Sequence, residues 1–448
     1  MTEDIGEKMH SLMEKLYPIN RSITGEGVRK TLKLLQNSFE LKIHEVPSGT
    51  KVFDWIIPEE WNISDAYIMN DKNEKIIDFR KSNLHVVQYS KKIKKRIKLN
   101  ELKKHIFTLP DQPNAIPYVT SFYNENWGFC MSNNQFQKLN DDEYIVNIES
   151  EHKNGSLTYG EFVIEGESKE EILISTYVCH PSLCNDNLSG PVLATFLAEY
   201  LSKQKLHYSI RFLFIPETIG AITWLALNED KIKNIFHGLV ATCVGDSGIS
   251  TYKKSRDGNN IIDEVVIEVL KESGKPYKIM DFWPSGSDER QYCSPAFNLP
   301  VGSLMRTPYD MFEEYHTSED NLSFMNKECL ADSFFKYLSV IQKLEGNFNY
   351  VKPEKITLEN KKSVKNNPVF LNLFPKCEPR LGKRKIYEEI GGVKNQDSLK
   401  QKKAIQWILN LSDGKHSLRD IQERSGLEFD TLFDMANLLE NKKLLSHV

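Results

Sequence analysis

The chain has 448 residues, which is long enough for two or three domains with a sizeable buried core. Its 58 Lys and Arg nearly balance its 62 Asp and Glu, and the net charge of −4 argues against a mainly electrostatic binder of nucleic acid or membrane. No apolar run approaches the ~18 residues of a membrane span, and the N-terminus lacks a secretion signal. The seven cysteines are scattered, so we expect a cytoplasmic protein without a disulfide framework.

The sequence pattern changes near residue 45. Before that point, apolar residues recur at helical spacing, and a loop at residues 20–24 separates two helix candidates. From there to residue 148, short β-rich runs alternate with turn residues and predict a compact β module; the runs lie at residues 66–68, 84–87 and 144–146. The basic run at residues 91–98 has no interleaved aromatic side chains, which indicates a solvated face or loop.

Residues 156–345 alternate between strand and helix patterns. Apolar runs of strand length lie at residues 172–176, 210–215 and 238–241, and an apolar helical stripe at residues 192–201 separates the first two. This alternation predicts the fold class α/β, with a mostly parallel sheet flanked by helices.

The C-terminal tail has its own pattern. Three short helix candidates and a terminal strand-like piece resemble a winged helix-turn-helix; they lie at residues 404–411, 418–425, 429–440 and 442–445. Residues 401–448 contain seven basic and seven acidic residues, whereas DNA-binding modules normally carry a basic surface. We therefore predict that this module contacts a protein partner or forms a homo-oligomer, and that it does not bind DNA.

Potential metal ligands follow the predicted strands. His180 and Asp186 follow the first run, Glu217 follows the second, and His316 lies beyond an apolar run at residues 299–304. In an open α/β sheet, ligands gather beyond the carboxyl ends of the strands. Imidazole and carboxylate are zinc ligands, and a carboxylate that does not bind the metal can take a proton from water. His180, Asp186 and His316 therefore suit the ligand role, and Glu217 suits the role of general base.

Several sequence strings carry a resemblance to a known family. Residues 150–345 resemble the zinc aminopeptidase superfamily that also contains the glutaminyl cyclases, through His180 and residues 185–190, 216–220, 287–289 and 315–320. The whole chain resembles a bacterial aminopeptidase-like family with an inserted β domain and a C-terminal winged helix, often encoded beside surface-polysaccharide genes. The strings that carry this second resemblance are residues 21–27, 47–55 and 287–293.

The resemblance implies a zinc-exopeptidase-like sheet and a division of the chain into four parts. The catalytic domain comprises residues 1–45 and 149–345, and the inserted β-rich domain comprises residues 46–148. A linker at residues 346–362 then leads to the winged helix-turn-helix at residues 363–448.

The chain departs from the superfamily's two-metal pattern at two positions. Thr218 stands where the pattern has a second Glu, and the strand that precedes Thr242 lacks the terminal Asp. The resemblance therefore implies one zinc per chain, held by His180, Asp186 and His316, with Glu217 as general base. Asp246, Asp288 and Glu289 are candidates for a fourth ligand or for binding a substrate amine. Arg290 and Arg306 either bind a substrate carboxylate or form internal salt bridges.

The leading interpretation is a zinc-dependent hydrolase of aminopeptidase type that cleaves a small peptide or aminoacyl amide. A first alternative is amide hydrolysis or acyl transfer on a surface-polysaccharide precursor. A second alternative is a metal-stabilised scaffold without catalytic activity. Two other motifs compete: residues 245–248 match the nucleophile string of trypsin-like proteases, and Cys179 with Cys184 suggests a structural zinc knot.

Overall fold

The structure is a computed structural model that describes residues 2–140, 143–346, 361, 363–364, 367–386 and 396–448. An eight-stranded mixed sheet forms its largest part. In spatial order the strands are Lys42–Pro47, Ser156–Ile164, Ser209–Ile215, Glu171–Tyr177, Ile235–Val240, Val301–Met305, Ser250–Lys253 and Tyr277–Met280. The α/β fold class is thereby confirmed.

The four middle strands of the large sheet are parallel, and antiparallel pairing occurs towards its two edges. Every residue of Glu171–Tyr177 and Ser209–Ile215 is buried, as is typical of parallel strands covered on both faces. The predicted strands of this region were recognisable because such strands are nearly continuous apolar runs.

Helices cover both faces of the large sheet. One face packs against Thr2–Leu16, Glu26–Leu35, Ser189–Leu201, Ile261–Glu272 and Lys327–Gly346; the other packs against Ile219–Leu227. The short helices Glu229–Ile232 and Glu289–Tyr292 complete this part of the chain. In Ser189–Leu201, the residues Val192, Leu193 and Leu197 of the predicted apolar stripe are fully buried, whereas Tyr200, which the stripe also included, is exposed. Among the described residues, no helix combines the length and apolarity needed to span a membrane.

The β module contains a four-stranded antiparallel sheet. Its strands in spatial order are Lys75–Asp78, Glu60–Met69, Glu143–Lys153 and Ile93–Lys98. The module also contains two two-stranded ribbons, Lys51–Val52 with Trp55–Ile56 and Ile106–Phe107 with Phe129–Cys130. Its two short helices are Leu99–Leu102 and Asn133–Phe136. The basic run is thus an edge strand with alternating exposure, and exposed lysines on an edge discourage pairing with another chain.

The predicted strand at residues 84–87 is wrong. Residues Asn83–His85 form a 3₁₀ turn, because the Ser82 hydroxyl accepts a hydrogen bond from the backbone N–H of Leu84 at 3.3 Å. Leu84 and Val87 are buried, so tertiary packing explains the apolar run.

The C-terminal module has a three-stranded sheet in the order Asp413–Ser417, Val369–Asn372, Leu445–His447. Three helices, Gln396–Leu411, Leu418–Ser425 and Phe429–Asn441, pack around its own apolar core. The module is docked on the large sheet domain by Arg256, which donates hydrogen bonds to the side chain and the backbone carbonyl of Asn410 at 2.9 and 3.0 Å. Of the predicted linker at residues 346–362, residues 347–360 and 362 lie outside the described residues.

Candidate metal and catalytic site

The three predicted ligands converge at one edge of the large sheet. His180 and Asp186 follow strand Glu171–Tyr177, and His316 lies in the loop beyond strand Val301–Met305. Because these strands belong to the parallel centre of the sheet, their carboxyl ends face the same edge. One potential ligand atom from each of the three side chains lies within 4.8 Å of the other two. Asp186 and His316 are more than a hundred residues apart in the sequence, and the fold brings them together.

Asp186 lies between the two imidazoles. Its Oδ2 atom is 2.9 Å from Nε2 of His316 and 4.0 Å from Nε2 of His180. Burial lowers the pKa of His180 to about 4, so its ring is neutral at pH 7 and retains a lone pair for a metal. Burial alone would raise the pKa of Asp186, but His180 and His316 hold it below its usual value. Two imidazoles and an ionised carboxylate form a donor set that suits zinc.

The second oxygen of Asp186 faces hydroxyl groups. Its Oδ1 atom accepts a hydrogen bond from the Tyr177 hydroxyl, which is also 2.7 Å from the hydroxyl oxygen of Thr242. Thr242 stands where the resemblance to the superfamily implies the loss of a carboxylate ligand. The chain thus places hydroxyl hydrogen-bond partners, rather than an acidic ligand, on this side of Asp186. Sequence reasoning missed Tyr177, since it ends an apolar strand run and its hydroxyl gives no signal there.

Asp320 holds the loop that carries Asp186. Its carboxylate accepts hydrogen bonds from the backbone N–H groups of Cys184, Asn185 and Asp186 at 3.2, 2.6 and 2.9 Å. Burial raises the pKa of Asp320 to about 7. Three donors on one buried carboxylate orient the loop backbone, and such supporting contacts fix the direction of a metal ligand. Its place in the string at residues 315–320 was the only sequence signal for this role.

Glu217 lies beside the three predicted ligands without belonging to their cluster. It follows strand Ser209–Ile215, and its Oε2 atom is 3.8 Å from Nε2 of His180. Burial, together with the nearby charges of Asp288 and Asp186, raises the pKa of Glu217 well above its usual range. A carboxylate whose pKa is raised in this way is a stronger base than an ordinary glutamate, which suits a group that accepts a proton.

Thr218, which stands where the superfamily pattern has a second Glu, contacts protein groups on both its backbone and its side chain. Its backbone has a φ of 63°, and its N–H donates to Oδ1 of Asp288 at 2.6 Å. Its hydroxyl accepts a hydrogen bond from Arg290 at 2.9 Å. The side chain at this position is therefore engaged by a guanidinium, a partner that repels cations.

The four tentative substrate-binding residues have different positions. Arg290 lines the cavity described below, and its Nε is 3.3 Å from Oε2 of Glu378. Asp288 is fully buried and holds Thr218 through the hydrogen bond given above, and it is not among the cavity-lining residues. Burial raises the pKa of Asp288 to about 7.

The other two tentative residues are engaged in internal contacts away from the cavity. Glu289 and Lys253 form a fully buried ion pair at 2.5 Å. The two carboxylate oxygens of Asp246 accept hydrogen bonds from Asn185 at 3.0 Å, from Gly248 at 2.6 Å, and from the backbone and hydroxyl of Thr307 at 3.1 and 2.6 Å. Both carboxylates thus have protein partners that a substrate amine would have to displace.

The competing motifs find no matching geometry. Arg306 was expected either to bind a substrate carboxylate or to form an internal salt bridge. It donates a hydrogen bond to Asp332 at 2.9 Å and thus forms the internal salt bridge. Within the part of the chain that the structure describes, no cysteine belongs to a metal-holding cluster; Cys179 instead accepts a hydrogen bond from the backbone N–H of Glu217 at 3.3 Å. Ser247, the residue of the nucleophile-like string, is exposed and has no histidine partner among the described residues.

A cavity of about 630 Å³ is lined by two of the three predicted ligands, His180 and His316, and by Glu217. Most of its walls come from the residues that follow the strands, from the β module and from residues 378–383 of the C-terminal module, and Ile23 and Arg290 also line it. Tyr118 of the β module donates its backbone N–H to the carbonyl of His316 at 2.8 Å, which fixes this wall beside the ligands. The β-module side chains in the wall are largely aromatic: Trp55, Tyr118, Phe122 and Tyr123. Sequence reasoning missed the contribution of residues 378–383 to this wall.

Comparison with known proteins identifies the family of the chain. A family profile described as domain of unknown function DUF4910 matches residues 10–347, and a winged helix-turn-helix profile matches residues 368–447. A protein of Clostridium acetobutylicum, named as a candidate polysaccharide biosynthesis protein with an aminopeptidase-like domain, is 53% identical over 100% of this chain and 98% of its own length.

Solved structures show the same fold. A candidate peptidase from Clostridium acetobutylicum is 52% identical, with a TM-score of 0.76 over 100% of this chain and 97% of that one. A zinc aminopeptidase from Bacillus subtilis is 11% identical, with a TM-score of 0.57 over 77% of this chain and 95% of that one. The chain therefore belongs to the DUF4910 family, has an aminopeptidase-like fold, and carries a winged helix-turn-helix in its C-terminal part.

Proposed function

We propose that the protein is a zinc-dependent hydrolase that removes an N-terminal aminoacyl group from a small amide. The observation that carries this proposal is the convergence of His180, Asp186 and His316 within 4.8 Å, with Glu217 beside them but outside the cluster. His180, Asp186 and His316 would hold one zinc ion. When bound, zinc polarises a carbonyl oxygen and lowers the pKa of water towards ~7.

Glu217 would act as the proton carrier. Its raised pKa favours taking a proton from the attacking water and passing it to the leaving amine. Asp320 and Tyr177 would hold Asp186 in a fixed orientation, so the ligand set needs little reorganisation. The walled cavity of about 630 Å³ is of the size that holds small ligands, and it favours chain ends or small amides over folded proteins.

Hydrolysis of a panel of aminoacyl amides by the purified, zinc-loaded protein tests the proposal. We expect turnover by the wild type and a loss of about 10²–10⁴-fold in kcat for Glu217→Gln, because the substitution removes the proton acceptor. Glu313→Gln is a matched control, since Glu313 is exposed and lies outside the cavity. Zinc binding without turnover on any aminoacyl substrate would refute the peptidase assignment.

A second candidate function retains the metal and changes the substrate. The name of the Clostridium acetobutylicum relative refers to polysaccharide biosynthesis, which favours amide hydrolysis or acyl transfer on an amino-sugar precursor. Incubation with N-acylated nucleotide sugars, followed by mass spectrometry of the products, separates this function from the first. If neither substrate class reacts and His316→Ala only lowers the melting temperature, the metal-stabilised scaffold becomes the better explanation.

The contacts of the winged helix-turn-helix favour a role within the chain. Its third helix, Phe429–Asn441, contains three acidic residues and no basic residue, so it lacks the charge of a DNA-recognition helix. Residues 378–383 instead form part of the cavity wall. We infer that the module shapes the substrate cavity, and its use in a homo-oligomer or with a protein partner remains a prediction.

A further inference from the structure

Arg380 brings a cationic group from the C-terminal module into the cavity. It lines the same space as Glu217 and His316. The guanidinium lies over the ring of Tyr123, with 4.1 Å between its central carbon and the ring centroid. Such a cation–π contact restrains the guanidinium and leaves its N–H donors available for hydrogen bonds in the guanidinium plane.

The two other cavity-lining cations already have acidic partners. Lys383 is 2.5 Å from Oδ1 of Asp54, and Arg290 is 3.3 Å from Oε2 of Glu378. By contrast, across the described ranges no carboxylate oxygen lies within 4.0 Å of a side-chain nitrogen of Arg380. The cavity thus contains a fixed guanidinium whose charge no described carboxylate neutralises at close range.

The anchoring of Arg380 also indicates a built position. Its backbone N–H donates to Oδ2 of Asp54 at 2.8 Å, and its carbonyl accepts from Arg384 at 3.1 Å. Asp54 itself is held by Arg384 at 2.6 Å. The backbone of Arg380 is therefore fixed by Asp54, and its side chain is fixed by Tyr123.

We propose that Arg380 binds an anionic group, a carboxylate or a phosphate, on the substrate. A planar guanidinium pairs with either oxyanion through two parallel hydrogen bonds. The proposal rests on the proposed function, since it defines the substrate as an aminoacyl amide that carries a negative charge. It also explains why the cavity wall includes a segment of the C-terminal module: that segment supplies the specificity-determining cation.

Calorimetric binding of three matched probes tests the proposal. The probes are leucyl-glycinamide, which lacks an anion, leucyl-glycine, which has a carboxylate, and leucyl-phosphoethanolamine, which has a phosphate. Zinc-loaded, full-length protein carrying Glu217→Gln avoids consumption of the probes. We expect at least one charged probe to bind about tenfold or more tightly than leucyl-glycinamide, and the tighter of the two identifies the anion.

Variants then assign this preference to Arg380. Arg380→Ala should abolish the charged-probe preference, and Arg380→Lys should retain part of it. Arg419→Ala is the matched control, because Arg419 also stacks on an aromatic ring, Phe429, but lies outside the cavity. Melting temperatures check that each variant folds. The tighter binding of the charged probes is measured in protein with native Arg380, so that comparison does not depend on the folding of an Arg380 variant.

The proposal is overturned if the charged probes bind no more tightly than leucyl-glycinamide, or if their advantage survives in Arg380→Ala. Failure of the proposed function gives a different result. In that case the wild type hydrolyses no aminoacyl amide, whereas the binding preference and its loss in Arg380→Ala remain measurable.

Discussion

Replacement of Asp54 by Asn should loosen the segment that carries Arg380. Asp54 is 8% exposed, and its carboxylate accepts hydrogen bonds from Arg384 at 2.6 and 3.2 Å and from Lys383 at 2.5 Å. Burial would raise the pKa of Asp54, but the hydrogen bonds from Arg384 and Lys383 hold it below its usual value. The carboxylate is therefore ionised at pH 7 and compensates both cations.

The magnitude follows from the exposure of the two partners. Lys383 is 40% exposed, so its pair with Asp54 contributes at most about 1 kcal/mol. Arg384 is 15% exposed, and charged hydrogen bonds of this kind contribute about 1.5–3 kcal/mol. A loss of about 2–3 kcal/mol corresponds to a roughly 30- to 150-fold increase in local opening.

Amide hydrogen exchange measures this opening directly. We expect the hydrogen-bonded backbone amides of Glu378, Arg380 and Arg384 to exchange about 30-fold or more faster in Asp54→Asn than in the wild type. Asp281→Asn is the control, because Asp281 is 87% exposed and its pair with Lys254 lies on the surface. Acceleration of less than about threefold at these amides would refute the reasoning.

Two further predictions concern acid stability and metal affinity. Hydrogen bonds from Arg29 lower the pKa of Glu60 to about 2, below its usual value of 4.5. The ion pair therefore stabilises the fold fully above about pH 4.5, and this stabilisation is lost as the pH falls towards 2. Urea unfolding should show Glu60→Gln destabilised at pH 7 by up to about 3 kcal/mol, with the difference shrinking by pH 3; an equal difference at both values contradicts the assignment. Tyr177→Phe removes the hydroxyl that orients Asp186, and competition with a zinc chelator should show about 10- to 100-fold weaker binding. Unchanged zinc affinity would mean that the hydroxyl has no orienting role.

The sheet and its ligands could be anticipated from sequence because the signal is local. Strand Glu171–Tyr177 contains the apolar run at residues 172–174, and His180 follows the strand within a few residues. The same relation holds for Glu217 after strand Ser209–Ile215. Parallel packing then requires these positions to share one edge, so their proximity follows from the fold class.

Other features depend on contacts that no local pattern encodes. The apolar run at residues 84–87 is buried by tertiary packing and does not form a strand. The carboxylate of Asp246 is engaged by Asn185 and Thr307, which are both about sixty residues away in the chain. Arg380 reaches the cavity because the C-terminal module docks beside the β module. The sequence of the linker before that module does not predict this docking position.

The number of zinc ions per purified chain tests the central claim most directly. Elemental analysis of the wild type, of His316→Ala and of a control, His447→Ala, compares a predicted ligand with a half-exposed histidine of the C-terminal module. The account predicts close to one zinc in the wild type and in His447→Ala, and a marked loss in His316→Ala. Two zinc ions in the wild type, none at all, or full retention in His316→Ala would contradict it.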